Sequence, residues 1–195
     1  MNYLAHVFLS CQDEHLLVGN ILGDILKNRE LKSLDVIYHK GVVLHRKIDS
    51  FTDNHPVHLQ NLKHLYPTQG KYAPVVMDIF YDYFLGKNWE NFSKDNQRTY
   101  TDNIYSILLK HLPGVPEKAK ITFQRMVDDD FLYSCQTYER LERTFQRVLR
   151  RVTFPSNMHN AVVDLLQLEN KIEPYFHTFF SELNREIQSG CLCFE

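Results

Sequence analysis

Apolar residues recur at intervals of three and four along nearly the whole chain, as in Leu16, Leu17, Ile21 and Ile25 and again in Val36, Ile37, Val43, Leu44, Ile48 and Phe51. That spacing marks one face of an α-helix, and the alternation of a half-buried strand is nearly absent. Gly and Pro together supply only 14 of 195 residues, against roughly 12% in an average chain, so turns are few and elements long. Breaks fall at Asn54-His55-Pro56, from Tyr66-Pro67 through Gly70 to Pro74, at Leu112-Pro113-Gly114-Val115-Pro116 and at Phe154-Pro155-Ser156-Asn157. They predict eight helical segments, at 13–28, 34–52, 55–65, 74–87, 91–111, 116–128, 136–151 and 157–188. Ser156 or Asn157 can cap the last, and Pro116 with Glu117 suits the first turn of the sixth. No repeat or flexible linker divides the chain, so the expectation is an all-α single domain over 1–188 with a loose tail at 189–195.

The charge balance, 22 Lys+Arg against 24 Asp+Glu, argues against a general polyanion binder and hence against nucleic acid as partner. Mean hydropathy is -0.37 and there is no long apolar run, which excludes a membrane-spanning helix. The first residues carry no basic region and their apolar stretch is broken by His6, Ser10 and Gln12, so neither a signal nor a transit peptide is expected and the location is read as cytoplasmic. Cys11, Cys135, Cys191 and Cys193 have neither the density nor the spacing of a disulfide framework or a zinc site, and are read as free thiols. The sequence is silent on oligomeric state.

Residues able to bind a metal gather in the first 82 positions: His6, Asn20, Asp24, His39, His45, Asp49, Asp53, His55, Asp78 and Asp82. Residues four apart share a helix face, so His45 and Asp49 point the same way, as do Asp78 and Asp82. Two carboxylates inside an otherwise apolar helix repel one another and lose hydration unless a cation sits between them. Asp78 and Asp82 lie among Phe80, Tyr81, Tyr83 and Phe84, and Asp24 follows a Gly-Asn-Ile-Leu-Gly run, so none has the Lys and Glu neighbours of a solvated face. The bland alternatives are solvated pairs and, for His6, a hydrogen-bonded core histidine. Mixed His and carboxylate ligation suits a divalent Mn, Fe, Co or Mg. Such an ion lowers the pKa of bound water and polarises a phosphoryl oxygen, and Arg46 would hold the phosphate if its helix turns it inward.

Met-Asn-Tyr-Leu-Ala-His at the start, Gly19-Asn20-Ile-Leu-Gly23-Asp24, His45-Arg46-Lys-Ile-Asp49, Thr52-Asp53-Asn-His55-Pro56 and Asp78-Ile-Phe-Tyr81-Asp82-Tyr-Phe-Leu85 together resemble the bacterial acyl carrier protein phosphodiesterase family. The likeness implies an all-helical fold distantly related to the HD-domain metal phosphohydrolases and a Mn-dependent hydrolysis of the phosphodiester joining 4'-phosphopantetheine to a serine of holo-acyl carrier protein. Positions matching the family pattern are His6, Asn20, Asp24, His45, Arg46, Asp49, Asp53, Asp78 and Asp82. On that likeness Asp24, His45, Asp78 and Asp82 lead as metal ligands, followed by His6 and Asp49, with Asp24, His45, Arg46 and Asp49 in catalytic roles. Two departures stand out: Arg46 follows His45, so the adjacent His-Asp dyad of HD domains is absent, and Tyr83 stands where the family would place a His. Asp53 and His55 have the alternative of capping the next helix.

Arg140, Arg143, Arg147 and Arg150, with Arg151 adjacent, fall at spacings of three and four opposite Leu141, Phe145, Val148 and Leu149. Residues 136–151 hold five Arg and two Glu. This basic stripe is read either as a solvated face or as the docking surface for an acidic partner, which the resemblance makes acyl carrier protein. Two rival functions remain at this level. One is an HD-type nucleotide phosphohydrolase, which has no use for the stripe. The other is a non-catalytic helical module that binds an acidic protein and no metal.

Overall fold

Four helix starts are set by polar side chains standing just before apolar runs. Asp13 accepts a hydrogen bond from the Leu16 backbone N–H at 2.8 Å, Asn96 from Arg98 and Thr99, Thr137 from Arg140, and His55 Nδ1 from Val57 at 3.3 Å. Each satisfies a donor that the first turn leaves unpaired. A computed structural model describes residues 1–11 and 13–189, the side chain of Cys135 apart. The described residues hold ten α-helices and no strand, so the all-α expectation holds. The helices are α1 Tyr3–Phe8, α2 Glu14–Ile25, α3 Asn28–Leu31, α4 His39–Asn54, α5 Pro56–Gln69, α6 Ala73–Lys87, α7 Gln97–Lys110, α8 Glu117–Asp128, α9 Tyr138–Leu149 and α10 Ala161–Ser189.

All eight expected segments are present, with instructive differences. α1 is six residues long, too short to show a period. The expected break at Pro67 does not fall there: α5 runs through it to Gln69 and ends at Gly70, whose φ is 52°. Pro67 sits in the last turn, where its missing N–H removes one intrahelical bond at most. The first segment is followed by a short helix, α3, and the second opens with a 3-10 turn, Val36–Tyr38, before α4. Cys11 is disulfide-bonded, which corrects the free-thiol reading at that position. Spacing along a chain does not reveal a partner that folding brings from elsewhere. Cys191, Cys193 and all of the expected tail but Ser189 lie outside the described residues. No described helix is long and apolar enough to cross a membrane.

α10 is the long member of the core. It buries Ile172, Phe176, Phe179, Phe180, Leu183 and Ile187 and packs on α4, α5, α6 and α9. Phe179 stacks on Tyr81 of α6 with ring centroids 5.0 Å apart. The most extensive helix pair is α2 with α4, and it is a close one. A Cβ on Gly41 would lie 2.3 Å from the Leu16 carbonyl oxygen and 2.6 Å from the Asn20 nitrogen, and one on Gly19 would lie 2.2 Å from the Tyr38 carbonyl oxygen. Those neighbours are backbone and cannot swing aside, so two glycines let the helices touch main chain to main chain. Gly41→Ala is expected to lower stability in urea denaturation by about 1–3 kcal/mol, the range for overpacking a tight contact. An unchanged midpoint would show that the two helices part without loss.

Candidate metal centre and adjoining cavity

The tight crossing of α2 and α4 puts the Asn20 side chain between two imidazoles. Asn20 is fully buried, and its Oδ1 lies 2.8 Å from His6 Nδ1 on α1 and 3.3 Å from His45 Nδ1 on α4. The amide nitrogen donates to the His6 carbonyl oxygen at 2.9 Å and to Ser10 Oγ at 2.8 Å, and Ser10 Oγ donates to the same carbonyl. Those partners fix which end of the amide is oxygen. An amide oxygen only accepts, so both Nδ1 atoms carry protons, and in the neutral tautomer this fixes, each Nε2 presents a bare lone pair. The two rings are stacked, with centroids 4.4 Å apart.

Both Nε2 atoms face Asp49, one turn beyond His45 on α4. His6 Nε2 is 3.2 Å from Asp49 Oδ1 and His45 Nε2 is 3.1 Å from Oδ2. His6 Nε2 is buried and makes no aligned hydrogen bond. Burial holds the His6 imidazole below its ordinary pKa, outweighing the nearby carboxylate, so the ring is neutral at pH 7. Burial pushes the Asp49 carboxyl upward, but its close polar contacts with the His45 and His6 rings and the Met1 ammonium outweigh it and hold that carboxyl well below the usual range. Ligand atoms of His6, His45 and Asp49 thus converge within 4.8 Å of one another as three acceptors. Acceptors turned on each other are repulsive without a proton or cation between them. A cation already stands at the edge: the buried Met1 α-ammonium lies 3.1 Å from Asp78 Oδ1 and 3.6 Å from Asp49 Oδ1. A void of about 20 Å³ lined by His6, Asn20, Asp24, His45 and the first three residues is large enough for one ion or water.

The remaining expected residues divide. Asp24, one turn after Asn20, lines this void, and its Oδ2 accepts a hydrogen bond from the Tyr3 hydroxyl. Burial and that carboxylate hold the Tyr3 phenol well above its ordinary pKa, so it stays a donor. Asp78 faces the Met1 ammonium. Asp82 does not join the cluster: its two oxygens accept from the Leu4 and Ala5 backbone N–H groups at 2.9 and 3.0 Å, capping α1 from another helix. Asp82 is thus occupied in holding α1, which carries His6. Arg46 does not join either. One residue on from His45 it is turned about 100° around α4, and its guanidinium donates to Asn28 Oδ1 at 2.9 Å on the outer surface. Asp53 is exposed, and His55 caps α5. Tyr83 points to α10, where its hydroxyl donates to Glu169 at 2.8 Å, so a His at this position would lie off the cluster. Tyr3 and Ser10 are site residues that helical spacing did not single out.

Beside the small void, and sharing Met1, Asn2, Tyr3 and Asp24 with it, opens a cavity of about 290 Å³. Its far wall comes from α8, α9 and the turn after α9, and includes Arg125, Arg147 and Arg151. The arginine stripe therefore splits. Arg147 lines the cavity and pairs with Asp129 at 3.3 Å, while Arg140 reaches Asp130 at 3.5 Å. Arg143, paired with Glu139 at 2.6 Å, and Arg150 are exposed.

Burial pushes the Asp82 carboxyl up to about 7, against the pull of its two N–H donors. Asp82→Ala leaves two buried donors without acceptors and is expected to lower stability by about 1–3 kcal/mol. A pKa raised on folding from 3.8 to about 7 stabilises below the unfolded value and fades as pH rises through the folded one. The gap between wild type and variant in urea titrations should therefore narrow from pH 4 to above pH 7. A gap that widens over that window contradicts the buried-carboxyl account.

A sequence model of the family described as acyl carrier protein phosphodiesterase matches residues 1–183. Among curated proteins, the acyl carrier protein phosphodiesterase of Serratia proteamaculans is 29% identical over 119 residues, 60% of this chain and 62% of that protein. The chain thus spans about three fifths of the length of that relative in the match. The Yersinia pestis protein of the same name is 23% identical over 195 residues, 96% of this chain and 98% of its own. One from Escherichia coli O9:H4 is 33% identical over 95 residues, 49% of each. No solved structure matches. The match over residues 1–183 covers every side chain of the His6, His45 and Asp49 cluster and both walls of the cavity, and the chain belongs to the acyl carrier protein phosphodiesterase family.

Proposed function

We propose that this protein is a metal-dependent phosphodiesterase that hydrolyses the link between 4'-phosphopantetheine and a serine of holo-acyl carrier protein, releasing apo-protein and 4'-phosphopantetheine. The observation that carries the metal is the convergence of two bare Nε2 atoms and a carboxylate within 4.8 Å. The carrier substrate is supported by family membership and by the names of the relatives. His6, His45 and Asp49 would hold the ion, with Asp24 and Asp78 at its rim. Two imidazoles with carboxylate oxygens suit Mn first, and Fe, Co or Mg as alternatives. When bound, such an ion polarises a phosphoryl oxygen and lowers the pKa of a bound water.

The chain's own residues supply the rest. Asn20 holds both Nδ1 protons, which fixes the tautomers and aims both Nε2 atoms inward. Tyr3 holds one oxygen of Asp24, and the other has no hydrogen-bond partner among the described residues, leaving it free to take a proton from attacking water. Arg143 on α9 and Arg150 at its C-terminal end, both exposed, present positive charge to an acidic carrier, so the encounter would weaken with salt.

Mass spectrometry of purified holo-acyl carrier protein tests this directly. Loss of the 4'-phosphopantetheine mass is expected with Mn, and not with chelator or with His6→Ala or Asp49→Ala. Loss that persists with chelator would remove the metal from the reading. No loss with any divalent ion would sink the reaction, and turnover of nucleotides insensitive to Arg143→Glu would then favour the nucleotide hydrolase. Asn20→Leu tests the tautomer lock separately. Mn affinity by isothermal titration should fall by roughly 10–100-fold, the range for losing an outer-shell partner, and an affinity equal to wild type would refute the lock.

A further inference from the structure

The cavity of about 290 Å³ is too large for an ion and begins where the ion-sized void ends. Its two sides differ in chemistry. At the α1 and α6 end stand Asp24 and Asp78, around the Met1 ammonium. On the α9 side Arg147 has a buried Nη1 with no hydrogen-bond partner, although its Nη2 pairs with Asp129. A buried guanidinium N–H without an acceptor loses hydration with nothing in return, and an anion is the group that restores it. Arg151, in the turn just past α9, makes no ion pair or side-chain hydrogen bond among the described residues, yet its charge reaches the Tyr3 phenol beside Asp24. Between these ends Ile79, Met126, Phe131 and Val148 form an apolar wall.

A ligand that fits this layout has an anionic phosphoryl group joined to an uncharged, partly apolar chain. We propose that this cavity seats the phosphopantetheine arm, with Arg147 and Arg151 holding its phosphate and the Ile79, Met126, Phe131 and Val148 wall packing its dimethyl and amide chain. This rests on the reaction proposed above and deepens it: two of the arginines on one stripe serve the small-molecule end, and Arg143 and Arg150, which do not line the cavity, are left to the carrier protein. Arg46, held against Asn28 on the outer surface, has no part in it. The carboxylates at the near end do not repel the phosphate once they surround a cation, which is the state the Met1 ammonium already represents.

Isothermal titration of the full chain with 4'-phosphopantetheine, pantetheine and inorganic phosphate, each with Mn and with chelator, tests the assignment. Wild type should bind 4'-phosphopantetheine more tightly than pantetheine or phosphate alone. Arg151→Gln should weaken it by about tenfold, as expected for a lost charge-assisted hydrogen bond, and leave pantetheine unchanged. The Arg151 side chain makes no ion pair or hydrogen bond among the described residues, so this variant is expected to stay folded. Val148→Glu should weaken both chains, and Arg143→Gln neither. Equal affinity of wild type for 4'-phosphopantetheine and pantetheine overturns the proposal, as does an Arg151→Gln variant that binds 4'-phosphopantetheine like wild type. If holo-carrier is not hydrolysed but this binding pattern appears, the cavity stands as a phosphorylated-ligand site and the reaction falls. If holo-carrier is hydrolysed and the pattern is absent, the cavity assignment alone falls.

Discussion

The backbone contact of α2 with α4 at Gly19 and Gly41 is the constraint on which the candidate centre depends. Only at that separation does an asparagine side chain on one helix reach an imidazole on the other, 3.3 Å away. Gly23 continues the same requirement one turn further, since a Cβ there would fall 2.7 Å from the His45 ring. Three glycines on facing surfaces thus trade side-chain packing for a close crossing, and the polar cluster occupies the room so made. A wider crossing would leave the Asn20 amide, fully buried, short of one of its partners, which burial makes unfavourable.

A second layer of support fixes α1, the short helix that carries His6. Six residues do not form a stable helix alone, and α1 is held by capping from Asp82, by Asn20 and Ser10 at the His6 carbonyl, and by the Tyr3 hydroxyl on Asp24. Three of these tethers are polar side chains on α2 or α6, so the position of His6 is decided by elements distant in sequence. Buried networks of this kind are rigid only when every member is satisfied. Here the member left unsatisfied is His6 Nε2, at the point where the acceptors converge.

Charge is arranged in two zones. Carboxylates dominate one end of the cavity and guanidinium groups the other, although the whole chain is nearly neutral at -2. Separating opposite charges in this way costs electrostatic energy. The arginine stripe on α9 follows the same logic at its own scale. Residues seven and eleven positions after Arg140 come round to the cavity, while Arg143 and Arg150 stay at the solvent edge.

Much of this was legible from spacing and composition. The helical period, scarce Gly and Pro, and polar side chains before apolar runs specify an all-α chain and most of its helices, because those signals act over a few residues. The gathering of His and Asp in the first 82 positions marked where the ligand atoms of His6, His45 and Asp49 converge, and His45 with Asp49 was readable as one helix face. What only the tertiary structure decided was the use of each residue. Asp78 and Asp82 look alike on the helix, yet one faces an ammonium and the other caps a helix from 77 and 78 residues away. Arg46 adjoins His45 in the chain and points elsewhere, because one step along a helix turns a side chain by about 100°. Asn20 receives both imidazoles only because two glycines bring two helices into contact, and no local pattern records the distance between helices.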